Sequence, residues 1–254
     1  MGSDPLRTGH AFGYVPAMEK VLYLISFARA RDGAPVGLGE RLRGPMADRL
    51  RELGAHGIQV NVVDGDVAPA TMRMAMSPTP ASAVVGVWVD SATDHLRAPF
   101  DAAVAAAAPE AELSAYLVTE SVPMANTRFP AEPGERTHGM AHLAFLRRRE
   151  DLTVDEWLRI WLDSHTHVAI DLQDTFAYVQ NIVTRVLIGG PVAWHAVVEE
   201  CFPAEAMTDP YVFFDAVGDD ERLARHQREM YESVERFLDL SMIDVVPTSR
   251  YVLG

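Results

Sequence analysis

The feature that most constrains this chain is an order of elements that occurs twice. Apolar strand-like runs and helical runs follow one another as strand, helix, strand, strand, helix, strand, and then do so again. In the first half the expected elements are a strand over Lys20–Ala28, a helix over Leu38–Leu53 interrupted by Pro45, and a strand over Gly57–Val63. A strand over Ala83–Asp90, a helix over Thr93–Ala107 and a strand over Ala111–Val122 complete it. The second half is expected to open with a strand over Gly139–Arg147 and a helix ending near His167, started by Thr153 and Glu156 as a capping box. Strands over Ala177–Ile188 and Ala193–Cys201, a helix over Asp219–Leu238 and a strand over Met242–Leu253 follow.

Residue matches fall in the same order. KVLYLI at Lys20 and AHLAFL at Ala141 stand 121 apart, as do Gln59 and Gln180. Glu40-Arg-Leu-Arg43 and Glu156-Trp-Leu-Arg159 stand 116 apart, and Glu112-Leu-Ser114 and Asp239-Leu-Ser241 stand 127 apart. Together they indicate an internal duplication. The pattern predicts an α+β fold of two ferredoxin-like βαββαβ repeats. A four-stranded sheet with both helices on one face leaves its other face bare, so the two sheets are expected to pack together as a barrel within one chain. The expected boundaries are a flexible N-terminal arm (1–17), a degenerate first repeat (18–123), a linker (124–138) and a second repeat (139–254). A homodimer remains compatible with this plan.

Composition narrows the function. A net charge of −14 is a poor match for nucleic acid or anionic lipid, both of which call for basic patches. No apolar stretch approaches the roughly 18–20 residues needed to span a bilayer, and the N-terminus lacks a signal-like apolar core. One cysteine, Cys201, precludes an internal disulfide framework and suits a reducing, cytoplasmic setting. It has no obvious basic partner and is read as inert. The run Thr71-Met-Arg-Met-Ala-Met76 is read as gap-filling rather than copper-binding. There is no phosphate-binding glycine loop, no Gly-x-Ser-x-Gly elbow and no clustered metal-ligand set. The expected partner is a small molecule.

The helix EWLRIWLDSHTHVAI carries the densest chemistry. Spacing of four puts Trp157, Trp161 and His165 on one stripe. His165 and His167 point roughly 200° apart on a helix and cannot share a metal there, so no metal site is expected. A helix end favours the imidazolium and burial favours the neutral ring, so His165 could be held near neutrality, as a general acid or base requires. Against this stands the plain reading of a core histidine with one hydrogen bond. Elsewhere, His142 and His195 are expected as neighbours across the sheet, either as a polar pocket wall or as structural histidines. Tyr178 and Asn181 could orient a substrate oxygen or simply serve sheet packing.

Glu156-Trp157, Trp161, His165, Tyr178-Val-Gln-Asn181 and Phe237-Leu-Asp-Leu-Ser241 together resemble the EthD family of the dimeric α/β-barrel superfamily, over about Gly139–Leu253. His167 stands where that family often has proline. The first half matches in layout only; the 116-residue offset puts Arg49 at the place of His165 and Pro45 at that of Trp161. The resemblance implies a pocket with His165 at its edge, walled by Trp161 and Trp157. It also implies chemistry without metal or organic cofactor on a small aromatic, polyketide-like or lactone molecule: isomerisation, cyclisation, dehydration or decarboxylation. The alternatives are a cofactor-free monooxygenase or a haem-binding oxidoreductase, and a non-catalytic small-molecule-binding protein.

Overall fold

The structure is a computed structural model that describes residues 18–28 and 34–254. The expected N-terminal arm lies outside the described residues. The first repeat consists of β1 (Glu19–Ser26), α1 (38–52), β2 (Gly57–Val62), β3 (Met74–Ala75), β4 (Ala81–Val89), α2 (Asp94–Ala107) and β5 (Glu112–Met124). The second consists of β6 (Met140–Leu146), α3 (154–172), β7 (Ala177–Ile188), β8 (Ala196–Phe202), α4 (Asp220–Val234) and β9 (Asp244–Val252). A short helix, Pro210–Phe213, precedes α4.

The two sheets have the same strand order, β2-β4-β1-β5 and β7-β8-β6-β9. β5 pairs with β7, and β9 pairs back onto β2, so eight antiparallel strands close into a barrel. This is the expected α+β architecture of two ferredoxin-like repeats in one chain. Each inner strand is buried on both faces, which explains its nearly unbroken apolar run. On β1, Leu22 and Leu24 turn into the barrel, where they join Leu143, Phe145 and Val197 of the other repeat. Val21, Tyr23 and Ile25 turn outward against Leu38, Leu42 and Leu50 of α1.

Three expectations need correction. The doubled strand and helix order gains a short extra strand: the Met-rich run Thr71–Met76 contains β3, which extends the barrel at the start of β9. Pro45 does not break α1. The helix widens into a π turn over Leu42–Met46, which accommodates a residue without a backbone N–H. α3 does not end near His167 but continues to Leu172, also through a π turn, Trp161–His165.

The helix alignment of the repeats also changes. Leu38, Leu42, Met46 and Leu50 are the large buried residues of α1, and Trp157, Trp161, His165 and Ala169 hold the same places in α3. Met46, not Arg49, therefore corresponds to His165, and Leu42, not Pro45, to Trp161. The 116-residue offset matches where the helices start, but three further residues turn a helix by about 300° and bring up another face. Arg49 is exposed and pairs with Glu52 at 2.8 Å. Among the described residues, no helix is long and apolar enough to cross a membrane.

Candidate active site

The second repeat is hollow between its sheet and its helices. A cavity of about 460 Å³ lies between β6–β9, α3, α4, the short helix and the segment before β3. Its walls are mostly apolar, with Trp161, Phe213, Phe237 and Ile243 among them.

Local rules build this space. Thr153 caps α3 through a complete capping box with Glu156. From that start, Trp157 and Trp161 fall on the buried face with ring centroids 5.2 Å apart, and His165 follows one turn on. Gly139, just before β6, has φ +70°, and a Cβ there would meet the Phe202 carbonyl oxygen at 1.9 Å. Only glycine lets the start of β6 lie this close to the end of β8. His226 of α4 donates from Nδ1 to the Phe214 carbonyl at 2.7 Å and approaches that of Leu172 at 3.1 Å, tying α4 to the end of α3.

The sheet register places the polar groups. Tyr178 of β7 lies opposite Glu200 of β8, and Glu200 lies opposite His142 of β6. The three form one row across three strands, facing the helices and lining the cavity. His142 is buried and donates from Nε2 to the Met72 carbonyl at 2.7 Å. Burial, reinforced by the nearby Arg73 charge, brings its pKa down to about 4, so the ring is neutral at pH 7. Burial, then the Glu200 carboxylate, pushes the Tyr178 phenol upward and keeps it protonated.

Sequence reasoning passed over Glu200. Burial raises its pKa from 4.5 to about 7, and among the described residues no hydrogen bond or ion pair engages its carboxylate. Its neighbour Glu199 shows the contrast. It points into the barrel, where Arg250, Gln59 and Asn61 all donate to it. The available signal was strand alternation. In AVVEECF one glutamate must face the barrel and the other the helices, and both faces are buried.

Arg73 also lines the cavity, with Nε on the Ala70 carbonyl at 2.9 Å and Nη2 on that of Val67 at 2.6 Å. No acidic side chain pairs with it among the described residues.

His165 lines the cavity, and its Nδ1 shares a hydrogen bond with the Ser233 hydroxyl of α4 at 2.9 Å. The expected balance between helix end and burial does not arise, because α3 runs on past this residue. Burial dominates, the Arg236 charge adds to it, and the pKa falls to about 4. His167 is exposed on the far side of the helix, as helical spacing requires.

Three expected contacts stand elsewhere. Trp157 lies behind Trp161 and meets the edge of the His195 ring, with centroids 6.1 Å apart. His195 is not beside His142. The register sets it near Leu146, four residues and about 13 Å along β6. There its Nδ1 accepts from the Arg148 amide at 3.0 Å, a structural contact. Asn181 faces away from Tyr178 by alternation, and its amide donates to the Val197 carbonyl at 3.2 Å. The cavity thus gathers His165, Trp161, Tyr178 and His142 of the expected set, and adds Glu200 and Arg73.

Of the two cavity histidines, His142 commits its Nε2 to a carbonyl, whereas among the described residues the Nε2 of His165 carries no hydrogen bond; one guanidinium, Arg73, stands at the same cavity.

No family model matches the chain, and no curated protein matches it either. Solved structures do. An anthrone oxidase-like protein aligns with TM-score 0.58 at 10% identity, over 93% of this chain and 94% of that one. A mutant chlorite dismutase from Candidatus Nitrospira defluvii aligns with TM-score 0.46 at 10% identity, over 93% and 91%. At 10% identity the first likeness is one of fold. With the closed eight-stranded sheet, it places this chain in the dimeric α/β-barrel fold, with both halves of the barrel in one polypeptide.

Proposed function

We propose that the protein is a cofactor-independent enzyme that activates a small aromatic ketone or phenol of polyketide type by moving a proton, in the manner implied by its EthD-like second half. The observation that carries this reading is the polar row Tyr178–Glu200–His142 set into an otherwise apolar cavity closed by Trp161 and His165. The apolar walls suit a flat aromatic body. The row supplies donors and a proton acceptor between low-polarity walls, so their effect on a developing charge is stronger than in open water. Isomerisation, dehydration and direct oxygenation of an activated aromatic all begin with such a proton loss. The name of the anthrone oxidase-like neighbour suggests a probe, since anthrone is an aromatic ketone with an acidic methylene.

The test is exchange of the anthrone methylene hydrogens in anaerobic D2O, followed by proton NMR. Exchange well above the buffer rate, abolished when a tight competitive ligand fills the cavity, is the expected result. Exchange no faster than buffer, with anthrone shown to bind, would count against the reading. Added haemin should give no Soret band that depends on His165; a band lost in His165→Ala would favour the haem alternative instead.

A further inference from the structure

We propose that Glu200, rather than His165, is the catalytic residue that takes the proton from the substrate and returns it. The inference rests on the proton-transfer reading above and names the atom that performs it. Its basis is placement. The Glu200 carboxylate stands at the middle of the polar row, opens onto the cavity, and has no hydrogen bond or counter-ion among the described residues. A partly buried carboxylate left without partners is costly unless a ligand supplies one. Both imidazoles at the cavity already hold a hydrogen bond, His142 to the Met72 carbonyl and His165 to Ser233. Both are also too weakly basic, at about 4, to accept a carbon-bound proton well at neutral pH. A carboxyl near 7 is matched to that task.

The step balances without any co-reactant. The C–H bond of the methylene, conjugated with the ketone through the flanking aromatic rings, breaks, its proton forms an O–H bond on Glu200, and the electron pair is delocalised through those rings onto the ketone oxygen as an enolate. The Tyr178 phenol, kept protonated, is a donor for that oxygen. Return of the proton from Glu200 to the same or a conjugated carbon completes exchange or isomerisation. The titratable and charged groups that share the cavity with Glu200 are Tyr178 on β7, His142 on β6, His165 on α3, Tyr231 on α4 and Arg73 before β3. β9 and the short helix contribute apolar groups there, Val245 and Phe213.

The experiment compares Glu200→Gln, Glu200→Asp and His165→Ala in the anaerobic anthrone exchange assay, with anthrone binding checked by tryptophan quenching. Glu200→Gln should bind anthrone and lose about 10²–10⁴-fold in exchange rate, as loss of a general base does. Glu200→Asp should recover part of that, and His165→Ala should lose about tenfold. Wild-type exchange should rise with pH through about 7, an inflection missing from Glu200→Gln. Wild-type rates in Glu200→Gln would overturn the proposal. If the wild type exchanges nothing, the function proposed above fails, and infrared spectroscopy in D2O still decides the state of Glu200. A protonated carboxyl band that titrates near 7 and vanishes in Glu200→Gln is expected; its absence from the wild type would overturn the proposal.

Discussion

The two repeats have the same backbone plan, and they differ in what fills the space between sheet and helices. In the first, the row equivalent to Tyr178–Glu200–His142 is Ile58–Val87–Val21, all three fully buried. Leu42 and Met46 stand where Trp161 and His165 stand. The first repeat packs this layer solid, and the second holds a cavity of about 460 Å³. One architecture has been used twice, once around a filled core and once around a cavity. The solid repeat, paired edge to edge with the hollow one through β5–β7 and β2–β9, is the part able to carry stability for both.

Exchanging the two rows breaks the comparison most severely. Val87→Glu places a carboxylate in the filled core with no partner and no cavity to hydrate it. It should cost about 3–5 kcal/mol, read as a lowered urea midpoint at pH 8. A cost below 1 kcal/mol would mean that the first repeat is not packed as described.

The next effect is the pH dependence of stability. In the folded state Glu200 titrates near 7, against an ordinary value of 4.5. Below 4.5 the group is neutral in both states and costs nothing. As pH rises through 4.5 towards 7 the unfolded chain releases its proton first, so wild-type stability falls and then levels off. The difference between wild type and Glu200→Gln should therefore grow to about 3 kcal/mol across that window, with the glutamine variant the more stable at high pH. The neutral histidines act in the other direction. His142 and His165 titrate near 4 when folded, against an ordinary 6.5, and so reduce stability as pH falls through that range. They do so equally in both proteins, and the difference isolates the glutamate.

A smaller effect is expected from copying one repeat into the other at the helix. His165→Met installs the residue that the first repeat has at this place. Thermal unfolding should change by less than about 1.5 kcal/mol, because volume is roughly kept and the site can repack. Smallest of all is Arg49→Ala, expected within about 0.5 kcal/mol of wild type and with unchanged anthrone exchange. A large effect there would restore the 116-residue alignment rejected above.

Much of this comparison could be read from the residues. The doubled strand and helix order follows from hydrophobic periodicity, and so does the buried stripe Trp157–Trp161–His165 opposite the exposed His167. Strand alternation also put His142 and Tyr178 on definite faces. What periodicity cannot supply is which residue meets which across strands. Register depends on long-range pairing, so His142 was expected beside His195 and is found beside Glu200. The π turns were equally hidden, because a single added residue in a helical turn leaves the apolar spacing almost intact. The shift from Arg49 to Met46 has another source: α3 starts three residues earlier relative to its buried stripe than α1 does, and apolar spacing does not show where a helix starts. Glu200 was hidden by its sequence neighbour, since Glu199-Glu200 near the end of a strand resembles a solvated edge until both faces are known to be buried.

A crystal structure of the protein soaked with anthrone decides where the chemistry sits. The ring system should lie in the second-repeat cavity, between Trp161 and the sheet, with the methylene carbon within reach of a Glu200 oxygen. Nothing should be bound between the first sheet and its helices. Anthrone seated in the first repeat, or elsewhere with the second-repeat cavity unoccupied, would contradict that placement.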